Sequence, residues 1–151
     1  MTDKTSPASS AASASPSSST PPVCAVVGVG PRPGNGASLA RRFAAEGYAV
    51  ALLARRPDTT TTLTASLPAA RAYACDVADP ASVSAAFASI RRDLGEIDVL
   101  IYNAGSGLFG TVDDITPADF ETSWRINALG ALLASQAWSF EVEARPFAES
   151  W

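Results

Sequence analysis

One junction constrains this chain more than any other: the apolar run Val23-Cys24-Ala25-Val26-Val27-Gly28, a turn rich in glycine from Gly30 to Gly36, and a helical pattern directly after it. A continuous apolar run of this length suits a strand buried on both faces, and such a strand needs helices covering the sheet on each side. The helical pattern, Ala37 to Glu46, turns Leu39, Phe43 and several alanines inward, and Gly47 closes it. Strand, tight turn and helix in this order form the opening unit of a parallel sheet.

The same alternation continues. Tyr48 to Ala54 predicts a second strand, and Thr59 to Leu67 a weak helix, its threonines being poor helix formers. Arg71 to Cys75 predicts the third strand. Asp79-Pro80 supplies an N-cap followed by a proline at the first helical position. Val83, Phe87, Ile90 and Leu94 then form one face of an amphipathic helix. Ile97 to Tyr102 predicts the fourth strand. Thr116-Pro117-Ala118-Asp119 reads as a capping box opening a helix that carries Phe120, Trp124 and Asn127 and runs to about Trp138. The order βαβαβαβα predicts an α/β fold: a Rossmann-type parallel sheet, incomplete at about four strands, in the order 3-2-1-4 with helices on both faces.

In the turn Gly30-Pro31-Arg32-Pro33-Gly34-Asn35-Gly36, the general G-x-G-x-x-G pattern fails, because its third glycine would fall on Pro33. The spacing G-x-x-x-G-x-G fits at Gly30, Gly34 and Gly36. Glycines belong where a Cβ would block close approach of the backbone to a phosphate, and a helix N-terminus offers free N–H groups to an anion. The turn therefore reads as a cradle for the pyrophosphate of a dinucleotide.

Composition removes several alternatives. The 151 residues include no histidine and a single lysine, Lys4. Zinc sites, Ser-His-Asp triads and Schiff-base lysines lose their usual residues, so no metal site is expected. A net charge of −4 argues against a nucleic-acid partner. No apolar run is long enough to span a membrane. Cys24 and Cys75 both fall in predicted strands and read as reduced core residues, which points to a cytoplasmic location rather than to a disulfide. The chain divides into a Ser/Ala/Pro-rich tail over 1–22, expected to be disordered, a Rossmann half-domain over 23–138, and an atypical C-terminal end over 139–151. The tail's serines also admit a transit peptide, against which stand its lack of arginine and of an amphipathic face.

With these residues in place, the chain resembles the short-chain dehydrogenase/reductase family from about Val23 to Ala137. The glycine spacing matches that family's turn, with Val29 standing where threonine is usual. Asp76-Val77, ending the third strand, looks like its adenine-contacting acidic position. Asn103-Ala104-Gly105 matches its Asn-Ala-Gly signature, which steadies the sheet and approaches the cofactor. Asn127, in Asn127-Ala128-Leu129-Gly130, matches the asparagine of its catalytic tetrad. The resemblance implies a dinucleotide held by Gly30, Arg32, Gly34, Asn35, Gly36, Arg55, Asp76, Val77, Asn103, Ala104 and Gly105. The second strand ends Ala54-Arg55-Arg56 without the carboxylate that binds the ribose 2′-OH of NAD, so NADP is expected over NAD. An ordinary solvated loop is the alternative reading of Arg32, Arg55 and Arg56, but together they favour NADP.

The family's chemistry also needs a serine and a Tyr-x-x-x-Lys pair. The tyrosines here, Tyr48, Tyr73 and Tyr102, have Leu52, Val77 and Ser106 four positions on. Only Asn127 of the tetrad is found, and the run after Trp138 lacks the family's character, so a truncated product is expected. By family the chain is an oxidoreductase of carbonyl or alcohol substrates. As it stands it is expected to bind NADP weakly without hydride transfer. The alternatives are a non-enzymatic nucleotide-binding or interaction module and an inert fragment. The fourth strand would be an open edge, a liability for homo-oligomers or strand pairing. Leu108 and Phe109 are candidate substrate-lining residues.

Overall fold

The computed structural model describes residues 20–30 and 34–139. Most of the expected N-terminal tail, Arg32 of the turn, and all but Ser139 of the C-terminal end lie outside the described residues. The elements are β1 (Val23–Val27), α1 (Asn35–Ala45), β2 (Ala49–Ala54), a 3-10 turn (Pro57–Thr60) running into α2 (Thr61–Ala65), and β3 (Ala70–Ala74). Then follow α3 (Pro80–Asp93), β4 (Ile97–Tyr102), α4 (Pro117–Trp124), a π-helical turn (Arg125–Leu129) and α5 (Gly130–Trp138).

The four strands form one parallel sheet in the order β3-β2-β1-β4. This is the order expected from the alternating pattern, with helices on both faces. β1 and β2 are buried throughout. On one face, Val23, Ala25 and Val27 join Ala51 and Leu53 against Val83, Phe87 and Ile90 of α3 and Ala134 of α5. On the other, Cys24, Val26, Val50 and Leu52 meet Ala37 and Ala40 of α1 and Leu63 of α2. The period-2 alternation of strand side chains splits one apolar run between two cores. That is why the run could carry no polar residue.

Register brings the strand ends level. Val27 pairs with Leu53 and with Tyr102, and Leu53 pairs with Tyr73. The segments that leave these residues therefore emerge side by side at one edge of the sheet, where α/β folds place ligands.

Several expectations shift in detail. α1 starts two residues early, at Asn35, and its most buried contacts are Gly36, Ala37 and Ala40, while Leu39 and Phe43 are half-buried. The predicted helix over 59–67 is instead a 3-10 turn and five α-helical residues. Thr59, Thr60 and Thr61 each turn a hydroxyl back onto a carbonyl three residues earlier, and Thr64 onto the carbonyl of Thr60, competing with regular helix. Cys75 lies one residue past β3, and Tyr48 one residue before β2. Leu94 is half-buried beyond the end of α3, whereas Val83, Phe87 and Ile90 are buried as expected. The last helix, expected to be continuous, is interrupted by the π turn. β4 is one edge of the sheet, but its start is covered: the Trp138 indole N–H donates to the Ile97 carbonyl at 2.8 Å.

Candidate functional site

The aligned strand ends open onto a cleft of about 270 Å3. Gly28, Val29 and Gly30 enter it from β1, Arg55, Arg56 and Thr59 from β2, and Cys75, Asp76 and Val77 from β3. Asn103, Ala104 and Gly105 come from β4, and Ile126 from the π turn. Of the residues expected to hold a cofactor, Gly30, Arg55, Asp76, Val77, Asn103, Ala104 and Gly105 are thus brought together. Gly34, Asn35 and Gly36 begin α1 beside this cleft without lining it; Asn35 borders a neighbouring groove that shares Asn103.

Gly28 carries the tightest requirement, and the motif spacing had passed over it. Its φ is +92°, a region unfavourable for residues with a Cβ. A Cβ there would lie 2.5 Å from the Ala104 Cα and 2.8 Å from the Asn103 carbonyl carbon. At Gly36 a Cβ would meet the Gly28 carbonyl oxygen at 2.8 Å and Asn103 Nδ2 at 2.9 Å. A Cβ on Gly30 would meet nothing within 4 Å. The legible signal for Gly28 was its position as the glycine ending an otherwise apolar strand.

Asn103 ties these pieces together. Its side-chain amide donates to the Gly28 carbonyl at 2.7 Å, and its backbone N–H donates to Val27 at 2.8 Å. These two bonds tie the end of β1 to the end of β4. Gly34, the N-cap of α1, offers no side-chain cap, and the first turn holds no acidic residue, which leaves helix N–H groups and their partial positive charge uncompensated.

Two arginines follow β2 in the cleft lining. Arg55 and Arg56 are exposed and have no ion-pair partner among the described residues. Asp76 is exposed as well; its backbone N–H donates to Ser82 Oγ at 2.9 Å, and its Oδ1 accepts from Ala78 N–H at 3.0 Å. Cys75, beneath it, is buried, and burial followed by the Asp76 charge pushes its thiol up to about 11, away from nucleophilic chemistry.

Asn127 does not line the cleft. Its Oδ1 accepts from Ser106 N–H at 3.0 Å, and its Nδ2 donates to the Ser106 carbonyl at 2.7 Å and to Ser123 Oγ at 2.9 Å. The side chain clamps the segment that follows Asn103-Ala104-Gly105. Phe109 is 98% exposed and, with Leu108, lies outside the lining of this cleft. Among the described residues, no three His, Cys, Asp or Glu cluster as metal ligands, and no helix is long and apolar enough to cross a membrane.

A four-stranded parallel sheet in this order, with helices on both faces and a cleft at its strand ends, is a partial Rossmann-type fold. The chain belongs to the short-chain dehydrogenase family, whose model matches residues 24–146. It is 33% identical over 108 residues to D-threitol dehydrogenase of Mycolicibacterium smegmatis and 34% identical over 113 residues to meso-2,3-butanediol dehydrogenase of Serratia marcescens. These alignments cover 69% and 74% of this chain but 42% and 45% of those enzymes, so the chain spans less than half the length of the curated relatives it matches. Among solved structures, a blue fluorescent protein from a metagenomic library in complex with NADPH superposes with a TM-score of 0.71 at 37% identity, covering 78% of this chain and 49% of that one. Gluconate 5-dehydrogenase of Burkholderia cenocepacia, in complex with NADP and tartrate, gives 0.70 at 30%, covering 78% and 47%.

Proposed function

We propose that this chain is the nucleotide-binding half of a short-chain dehydrogenase and holds NADP(H) in the cleft at the strand ends. The observation that carries the reading is the junction of Gly28, Gly36 and Asn103. Backbone is packed there too closely for a Cβ on either glycine, at the start of a helix whose N-terminal N–H groups have no side-chain cap. The family likeness and the NADP(H)-bound neighbours support the same reading. In it, the pyrophosphate lies against the N-terminus of α1, with Gly30, Gly34, Asn35 and Gly36 beside it. Asp76 and Val77 flank the adenine. Arg55 takes the ribose 2′-phosphate, and Arg32, in the same turn, adds positive charge.

A nicotinamide cofactor supplies a hydride, and the relatives' names are those of alcohol and polyol dehydrogenases. Carbonyl or alcohol oxidoreduction is therefore the activity we assign to the complete family fold. The present residues include no Tyr-x-x-x-Lys pair. We accordingly propose cofactor binding without turnover for these 151 residues alone. β4, at the sheet edge beyond Ile97, would take the next strand of such a fold or pair with a second chain.

The cofactor assignment is tested by Arg55→Asp. NADPH affinity should fall roughly tenfold or more while NADH affinity holds or rises, since a charge-assisted phosphate contact becomes a repulsion. An unchanged NADPH/NADH affinity ratio would remove Arg55 from the site. Ratios are read from NAD(P)H fluorescence titrations.

A further inference from the structure

The π turn of Arg125–Leu129 is the one irregular stretch in an otherwise regular helical segment, and the functional reading leaves it unexplained. In an α-helix the Gly130 N–H would bond the Ile126 carbonyl; here it bonds the Arg125 carbonyl instead. The Ile126 carbonyl takes the phenol O–H of Tyr102 from the last position of β4. Tyr102 is half-buried and packed against the core that α3 and α5 share.

Two further contacts fix this point. Gly130 lies so close that a Cβ there would collide with the Tyr102 hydroxyl and approach the Val77 carbonyl oxygen to 2.9 Å and its Cβ to 3.0 Å. Ile126 and Val77 both line the cleft. The residue after Ile126, Asn127, clamps both backbone groups of Ser106, and Ser123 Oγ adds a bond to the same Ser106 carbonyl at 3.2 Å. A π insertion rotates everything after it relative to a regular helix. Ile126 and Asn127 lie within this turn, and Tyr102 is the side-chain donor to the carbonyl that it displaces.

We propose that Tyr102 is a positioning residue: by taking the Ile126 carbonyl, its hydroxyl selects the π turn that presents Ile126 to the cleft and Asn127 to Ser106. The consequence for affinity rests on the NADP(H) reading above; the consequence for Ser106 does not.

The experiment is Tyr102→Phe in the full chain, read by amide hydrogen exchange and by NADPH fluorescence titration. Removing one hydroxyl keeps the ring packing and leaves the Ile126 carbonyl without this donor. Exchange at the Ser106 N–H should then speed up about three- to tenfold, while that of Cys24 in β1 holds, and NADPH should bind about three- to tenfold more weakly. Ser106 exchange that stays at the wild-type rate, or accelerates only in step with Cys24, overturns the proposal. Faster Ser106 exchange with unchanged NADPH affinity overturns its link to the cleft. A wild-type chain that does not bind NADPH defeats the functional reading alone, and the exchange measurement still decides the role of Tyr102. Should Tyr102→Phe not fold, Gly130→Ala displaces the same hydroxyl from the other side and should accelerate Ser106 selectively. An unaccelerated Ser106 in that variant refutes the proposal too.

Discussion

Replacing Gly28 by alanine puts the packing of the strand ends to a quantitative test. Two costs combine there. A φ of +92° is unfavourable for a residue with a Cβ, by about 1–2 kcal/mol. The new methyl would also sit 2.5 Å from the Ala104 Cα and 2.8 Å from the Asn103 carbonyl carbon, both backbone atoms with no rotamer to escape into. Forcing such a group into a packed region adds about 1–3 kcal/mol. The sum, about 2–5 kcal/mol, is a large share of the stability of a small domain. Gly30→Ala is the matched control, because its methyl meets nothing within 4 Å and its φ is not positive. Urea denaturation followed by tryptophan fluorescence and far-UV circular dichroism should move the Gly28→Ala midpoint well down and leave that of Gly30→Ala within about 0.5 kcal/mol of wild type. If the two variants are equally stable, the close packing of Gly28 on Asn103-Ala104 is wrong.

Two other consequences concern the core and the helix ends. Burial pushes Cys24 from 9.0 to about 12 and Tyr102 from 10.0 to about 12, and Cys75 to about 11. On unfolding these groups regain their ordinary values, so between about pH 9 and pH 12 the unfolded chain releases protons that the folded chain keeps. Stability should be insensitive to these groups below pH 9 and fall as pH rises through that window. Urea midpoints that stay level up to about pH 10.5 would contradict the burial of these groups. The capping box of α4 gives the other. Thr116 Oγ1 accepts from Asp119 N–H at 3.2 Å, and Thr116→Ala should cost about 1 kcal/mol and fray the start of α4, as read by exchange at the Asp119 amide.

Much of this architecture was legible because each element carried its own local signal. Val23–Val27 and Ala49–Ala54 are apolar on both faces, and Asp79-Pro80 and Thr116-Pro117-Ala118-Asp119 start their helices where capping chemistry says they should. Alternation of strands and helices then leaves few topologies, and the sheet order follows. What resisted reading depends on contacts distant in sequence. That Gly28 rather than Gly30 bears the steric load is set by Ala104, and spacing within the turn carries no trace of it. The π turn likewise follows from a phenol on β4 and a glycine packed on Val77, neither of which appears in the periodicity of the helix. Threonine hydroxyls bonded to carbonyls three residues back shape the segment after β2, where the alternating order of elements predicts a longer helix despite the threonines' low propensity. Asn127 was legible as a motif residue, while its engagement with Ser106 was not, because loop geometry has no sequence period.

The central claim is that the cleft at the ends of β1, β2 and β3 holds NADP(H). Isothermal titration of NADPH into the full chain, with NADH and ATP as comparison ligands, tests it most directly. Saturable binding of one NADPH per chain, tighter than NADH by about threefold or more and suppressed by 2′-phosphorylated adenosine, is the result this account predicts. No heat of binding for either dinucleotide with a folded chain, or NADH bound as tightly as NADPH, would contradict it.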